Sequence, residues 1–242
     1  MVHIYKTADE TIKELTDHFI QIVNAAIKNK GRCAVALPGG NSPKQLYRLL
    51  ASAHHSRQID WDKIYFFFGD ERCVPFTDPE NNGNMVKKNL FDPLMIPDAN
   101  IFYINTAVAP EESAKKYAQR ILSFFRNDPV RFDLIILGLG ENAHTASLFP
   151  HTPVLKEKKA LVRAVYVEDL LSYRITMTAA LINEAHAIAF LVYGDTKASA
   201  VYNVLEGKKD PDNYPAQLIN PENGVVNWFL DEDAAKKLRR RD

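Results

Sequence analysis

A histidine, His144, follows the glycine-punctuated turn Gly138-Leu139-Gly140, with Asn142 two residues before it. An imidazole titrates near neutral pH and can take a proton from water, so this is the side chain best suited to chemistry in the chain. The residues before the turn, Phe132 to Leu137, are apolar except for Asp133, and read as a strand buried on both faces, as a parallel strand between helix layers is. A glycine turn at the carboxyl end of such a strand is where open α/β sheets bind ligands. There the next helix is expected to start, with its free backbone N–H groups pointing outward. The chemistry is therefore expected at His144, with the rest of the chain supplying its substrate.

Three further clusters follow apolar runs in the same way. Cys33 to Leu37 runs into Pro38-Gly39-Gly40-Asn41-Ser42-Pro43. Its glycines let backbone approach a ligand, Ser42 is expected to cap the next helix, and Pro43 suits the first turn. Ile64 to Phe68 runs into Gly69-Asp70-Glu71-Arg72, where extended backbone would point Asp70 and Arg72 the same way. Ala185 to Val192 runs into Gly194-Asp195-Thr196-Lys197. Asp195 is expected to cap a helix there. Lys197 then opposes the helix dipole, an arrangement that favours an anion shared with the free N–H groups. Each cluster alone has a structural explanation, a capped turn or a salt-bridged strand end. In a parallel sheet all four ends share one edge, and together they describe a site for a phosphorylated small molecule.

The elements that must position these groups alternate along the chain. Thr7 and Glu10 have the spacing of a capping box, and the helix after them ends at Gly31. Helices are expected around Met85 to Leu90 and over Glu111 to Phe125. Further strands are expected at Ile101 to Ile104 and Leu161 to Val167, Arg174 to Thr178 follows a turn, and Val225 to Phe229 reads as an edge strand. A charged helix with the run Lys236-Lys237-Leu238-Arg239-Arg240-Arg241 closes the chain, its basic end complementing the dipole. The fold class is α/β: a mostly parallel open sheet sandwiched by helices, Rossmann-like, as a single domain over residues 1–242.

Composition narrows the function. Thirty basic and 30 acidic residues cancel, so no global field draws the chain to nucleic acid or an anionic membrane. Any anion must be caught locally. The two cysteines, Cys33 and Cys73, read as free thiols of a cytoplasmic protein, and the amino terminus has no signal-peptide pattern. Seven histidines show no metal-ligand spacing, and no G-x-S-x-G elbow is present. Gly138-x-Gly140-x-x-Ala143 is a weak dinucleotide fingerprint with only Glu168 and Asp169 as loose acidic partners.

These motifs together resemble those of the 6-phosphogluconolactonase family: the Pro38–Pro43 loop, Gly69-Asp70-Glu71-Arg72-Cys73-Val74-Pro75, Gly138 through His144 to Thr145-Ala146-Ser147-Leu148-Phe149-Pro150, Arg174-Ile175-Thr176, and Gly194 to Lys197. The resemblance implies hydrolysis of 6-phosphoglucono-1,5-lactone in the oxidative pentose phosphate pathway, without metal or organic cofactor. It makes His144 the general base; Asn142 stands where the family has an aspartate, and either that aspartate contributes little or Asp70 takes part of its role here. Arg72 and Lys197 become the phosphate-binding cations, and Gly39, Gly40, Asn41, Ser42, Thr145 and Arg174 complete the substrate site. The expected partner is the sugar-phosphate lactone alone, with no nucleic acid or membrane, in a monomer or weak homodimer. Glucosamine-6-phosphate deaminases share the glycine loops but diverge after the histidine, and stand as the alternative beside a non-catalytic sugar-phosphate sensor. One departure is plain: the family has Asp-Gly where this chain has Asn142-Ala143. An amide oxygen can orient an imidazole, but it cannot stabilise an imidazolium as a carboxylate does.

Overall fold

The structure, a computed structural model, describes residues 1–126 and 128–239. Its strands are β1 (Val2–Tyr5), β2 (Cys33–Leu37), β3 (Ile64–Phe68), β4 (Asp70–Arg72), β5 (Leu134–Leu137), β6 (Val162–Val167), β7 (Ser172–Met177), β8 (Ala187–Val192) and β9 (Val225–Asp231). The α-helices are α1 (Ala8–Lys30), α2 (Pro43–Leu50), α3 (Asn82–Val86), α4 (Asp92–Leu94), α5 (Pro110–Phe125), α6 (Ala179–Ile182), α7 (Ala198–Leu205) and α8 (Glu232–Ala235).

Six strands form one parallel sheet in the order β1-β9-β8-β5-β2-β3. Every residue of β2, β5 and β8 is buried, which is why their sequences are apolar without alternation. From β2 the chain moves outward to β3 and then returns to place β5 on the other side of β2. At such a switch point the connections leave in opposite directions, and a crevice opens between the carboxyl ends. Helix α1 packs on the sheet through Ile12, Leu15, Phe19 and Val23, and Gly31 ends it at φ 77°. Only half of the expected capping box closes. The Thr7 hydroxyl accepts from the Glu10 N–H at 3.2 Å, while the Glu10 carboxylate takes the N–H of Lys6 instead of that of Thr7.

A second, three-stranded antiparallel sheet, β4-β7-β6, leaves the edge of the first. Leu161 to Val167 and Arg174 to Thr178 belong here and not to the parallel sheet. Gly69 joins the two sheets: its N–H donates to the Leu37 carbonyl at 3.0 Å, and its own carbonyl accepts from Met177 at 2.8 Å. Asp70 to Arg72 thereby stand as a wall beside the crevice.

Several expectations change. Val225–Asp231 is an interior strand between β8 and β1, and the edge is the short amino-terminal strand Val2–Tyr5, whose four residues carry too little pattern to declare it. Ile101 makes one bridge to Phe66 and no strand forms at Ile101 to Ile104. The helix at Met85 continues through a π-helical turn, Lys87–Phe91. Ser42 has helical backbone and no capping side-chain bond. Asp195 pairs with Lys236 and caps nothing; Asp231 receives the Gly194 N–H and caps α8. Both cysteines are free thiols. Of the basic tail, Arg240 and Arg241 lie outside the described residues. No helix among them is long and apolar enough to cross a membrane.

The one charge in the apolar run before β5 has a structural reason. Asp133, 6% exposed, accepts the Ala34 N–H at 2.8 Å and meets the Lys30 ammonium at 2.7 Å. Asp133→Ala leaves that amide unpaired, and is expected to destabilise the fold by about 2 kcal/mol; the half-exposed Lys30 can turn to water and adds little. A urea denaturation curve with an unshifted midpoint would contradict this.

Candidate active site

The four strand ends named from the sequence lie side by side, on β8, β5, β2 and β3, along one edge of the parallel sheet. After β5 the chain makes a tight loop closed by its own backbone, Gly140 N–H to the His144 carbonyl at 2.8 Å and Ala143 N–H to the Gly140 carbonyl at 2.9 Å. No helix starts here. The loop runs on through Thr145 to Leu148, with Ala143 and Ala146 both in the left-handed region at φ 60° and 46°. That conformation costs a non-glycine residue about 1 kcal/mol, and it folds the segment back so that His144 faces the crevice. Gly140 is required by contact: a Cβ there would overlap the His144 ring.

His144 is held on three sides. Its Nδ1 lies 2.6 Å from the Asn142 side-chain oxygen, which also accepts the His144 backbone N–H at 3.3 Å. Because the backbone can only donate, the amide must present its oxygen, so Nδ1 carries the proton and Nε2 keeps its lone pair. The ring stacks on Phe149 at 4.0 Å between centroids. Burial, together with the charges of Lys197 and Arg174, pushes the imidazole down to about 4. At neutral pH it is therefore uncharged and able to accept a proton.

The cations stand on the neighbouring strand ends. Lys197, in the turn that leads into α7, has no carboxylate within ion-pair distance among the described residues; its partial burial lowers its proton affinity. Arg72 and Arg174 are directly opposed on β4 and β7. Like charges in register repel, and Arg174 Nε is buried with no hydrogen-bond partner among the described residues. Arg72 leans instead on Glu80, through its carboxylate at 2.7 Å and its carbonyl at 2.9 Å. A cleft of about 70 Å³ runs between Arg72 and the glycine loop, lined by Gly40, Asn41, Lys44, Glu80 and Asn82. A wider groove, about 750 Å³, lies elsewhere, between α1 and α2, and is lined by none of these groups.

The glycine loop is shaped from both sides. The Tyr47 hydroxyl donates to the Pro38 carbonyl at 2.6 Å and that of Tyr193 to the Ser42 carbonyl at 3.1 Å. Gly40 sits at φ 90°, and Gly39 has no room for a Cβ because the Asn82 side chain occupies that space. Among the described residues the Gly39, Gly40, Asn41 and Ser42 N–H groups have no protein acceptor, so the loop offers its donors to a ligand.

Two residues of the expected site are used differently. Asp70 does not touch His144: its carboxylate accepts from the Ser147 hydroxyl at 2.6 Å and, more distantly, from the Asn82 amide. Burial raises its proton affinity, opposed by the Ser147 bond, Arg174 and Arg72. Thr145 is 1% exposed, and its hydroxyl closes the loop onto the Gly138 carbonyl at 2.8 Å. Sequence reasoning did not single out Ser147, Phe149, Asn82, Tyr47 or Tyr193. Ser147 and Phe149 lay within the motif after the histidine, and Asn82 in an Asn-Asn-Gly turn, but only the folded chain brings them to their partners. No group of three or more His, Cys, Asp or Glu side chains among the described residues is arranged to hold a metal ion.

Comparison with known proteins agrees with this geometry. Residues 6–228 match the family described as glucosamine-6-phosphate isomerases/6-phosphogluconolactonase. The chain is 40% identical to a 6-phosphogluconolactonase of Synechocystis sp., across 90% of this chain and 89% of that protein. It is 36% identical to one of Aggregatibacter actinomycetemcomitans, across 97% and 98%. Among solved structures it is similar to the 6-phosphogluconolactonase of Trypanosoma brucei, with a TM-score of 0.88 and 27% identity, covering 99% of this chain and 98% of that one. With its sheet order, its glycine loop and its histidine turn all present, the chain belongs to the glucosamine-6-phosphate isomerase/6-phosphogluconolactonase family.

Proposed function

We propose that this protein is a 6-phosphogluconolactonase, hydrolysing 6-phosphoglucono-1,5-lactone to 6-phosphogluconate in the oxidative pentose phosphate pathway of the cytoplasm. The observation that carries the reading is the neutral His144, its tautomer set by Asn142 and its charging opposed by two cations with no carboxylate in ion-pair distance among the described residues, Lys197 and Arg174. His144 Nε2 takes a proton from water as the water attacks the lactone carbonyl. The charge growing on that oxygen is met by nearby cations and loop N–H groups, and the ring oxygen leaves with a proton from the imidazolium. The phosphate is held by Arg72, Arg174, Lys197 and the N–H groups of Gly39 to Ser42, which anchors the lactone so that its carbonyl meets the base. Asp70 acts at one remove, fixing Ser147 and the loop that carries His144.

His144→Ala is expected to lower kcat by roughly 10²- to 10⁴-fold while the circular dichroism spectrum is kept. Turnover near that of the wild type would remove His144 from the mechanism. Because His144 works deprotonated and sits well below the ordinary histidine value, kcat/KM should hold as pH falls through 6.5 and decline only below it. Asn142→Asp places a negative charge on Nδ1–H and favours the imidazolium, so that decline should move up by about one pH unit or more. A pH–rate profile unchanged in the variant would contradict the pairing. Lys197→Ala and Arg174→Ala each remove a charge-assisted contact and should raise KM roughly 10- to 100-fold with a smaller change in kcat. Calorimetric binding of 6-phosphogluconate as tight as in the wild type would refute the phosphate assignment.

A further inference from the structure

Glu71 stands between Asp70 and Arg72 on β4 and points to the opposite face of the strand. It is 2% exposed, and no cation lies within ion-pair distance of it among the described residues. A buried carboxylate without a cation is costly unless its oxygens are hydrogen-bonded. All of its bonds go to backbone. One oxygen accepts from Arg72 N–H at 2.7 Å and Asn82 N–H at 2.8 Å, the other from Gly83 N–H at 2.9 Å. Three donors from two segments therefore converge on one side chain, which clips the turn at Glu80 to Gly83 against β4.

That turn touches Arg72, Asp70 and the glycine loop. The Glu80 carbonyl and carboxylate hold Arg72 Nη1. The Asn82 amide donates to the Asp70 carbonyl at 3.1 Å, and its side chain fills the space left by the missing Cβ of Gly39. Glu80, Asn82, Arg72 and Gly40 line the same small cleft. We propose that Glu71 is a positioning residue for recognition of the substrate's phosphate, fixing the Arg72 guanidinium and the Asn82 amide against the glycine loop through the turn it clips. This rests on the lactonase reading of the site. It assigns Glu71 to phosphate affinity and to no step at the lactone carbonyl.

Glu71→Gln preserves shape but turns an N–H of its own toward one of the three backbone donors. It is expected to raise KM for 6-phosphoglucono-1,5-lactone roughly 3- to 10-fold, to leave kcat within about twofold, and to leave kcat/KM for unphosphorylated glucono-1,5-lactone unchanged. In an Arg72→Ala background the same substitution should cost clearly less than it does alone, since the part of its effect that runs through Arg72 is already lost. Equal losses on the two lactones, or full additivity with Arg72→Ala, would show that Glu71 merely stabilises the fold and would overturn the proposal. Glu71→Asp, which keeps the charge and withdraws the oxygens, should shift KM in the same direction by less, and decides the matter if the glutamine variant does not fold. If the wild type hydrolyses neither lactone, the functional reading fails by itself. Calorimetry with 6-phosphogluconate then tests Glu71 separately: weaker binding to Glu71→Gln supports its role, and equal binding ends it.

Discussion

An imidazole serves as a base toward the crevice only if its lone pair sits on the nitrogen that faces the crevice, and the bond between Asn142 and His144 Nδ1 enforces that. The rest of the loop is shaped around this bond. Gly140 is bare because the ring lies against it, Phe149 covers the ring's face, and Ala143 and Ala146 accept left-handed backbone so that the segment can double back. Asn142 supplies the orientation without the charge. With an amide in place of a carboxylate, nothing adjacent favours the imidazolium, while burial and two nearby cations oppose it. The result is a histidine kept neutral over the whole physiological range, a consistent state for a group proposed to begin its cycle by accepting a proton.

The alanine beside it carries a cost of its own. Ala143 occupies φ 60°, where a glycine would be unstrained, and its carbonyl accepts the Ala216 N–H at 3.0 Å. It is 1% exposed, so its methyl is buried as well. The strain is thus offset by packing and by a backbone bond from a distant segment, and the loop's shape depends on the tertiary structure as much as on its own residues.

The second constraint is the handover at Gly69. A parallel sheet leaves its edge strand half paired, and here the chain steps off that edge into an antiparallel sheet whose strands carry Asp70, Arg72 and Arg174. Two of the cations of a chain with no net charge are thereby brought face to face. Two guanidinium groups opposed in register, one with a buried Nε unpaired among the described residues, form a local field suited to a doubly charged ligand. Glu71 and the turn it clips set how closely one of them can approach the glycine loop.

Much of this was legible from residues alone. Uninterrupted apolar runs at Cys33 to Leu37, Ile64 to Phe68 and Ala185 to Val192 announced buried parallel strands, since only a strand covered on both faces lacks polar alternation. Parallel direction then forced their carboxyl ends, with Gly39, Asp70, His144 and Lys197, onto one edge. The edge and interior positions of β1 and β9 were not legible, because strand order depends on which connections pack back across which face. Nor were the uses of Ser42, Asp195 and Thr145, because a short polar side chain has several backbone partners within reach and the fold selects among them. Local sequence thus determined which elements form and which end of each carries the chemistry. Only the tertiary structure decided that Asp70 faces Ser147 and not His144, that Arg72 and Arg174 stand opposed, and that Glu71 turns inward to hold a turn, because these are pairings between segments far apart in the chain and depend on how two sheets meet at Gly69.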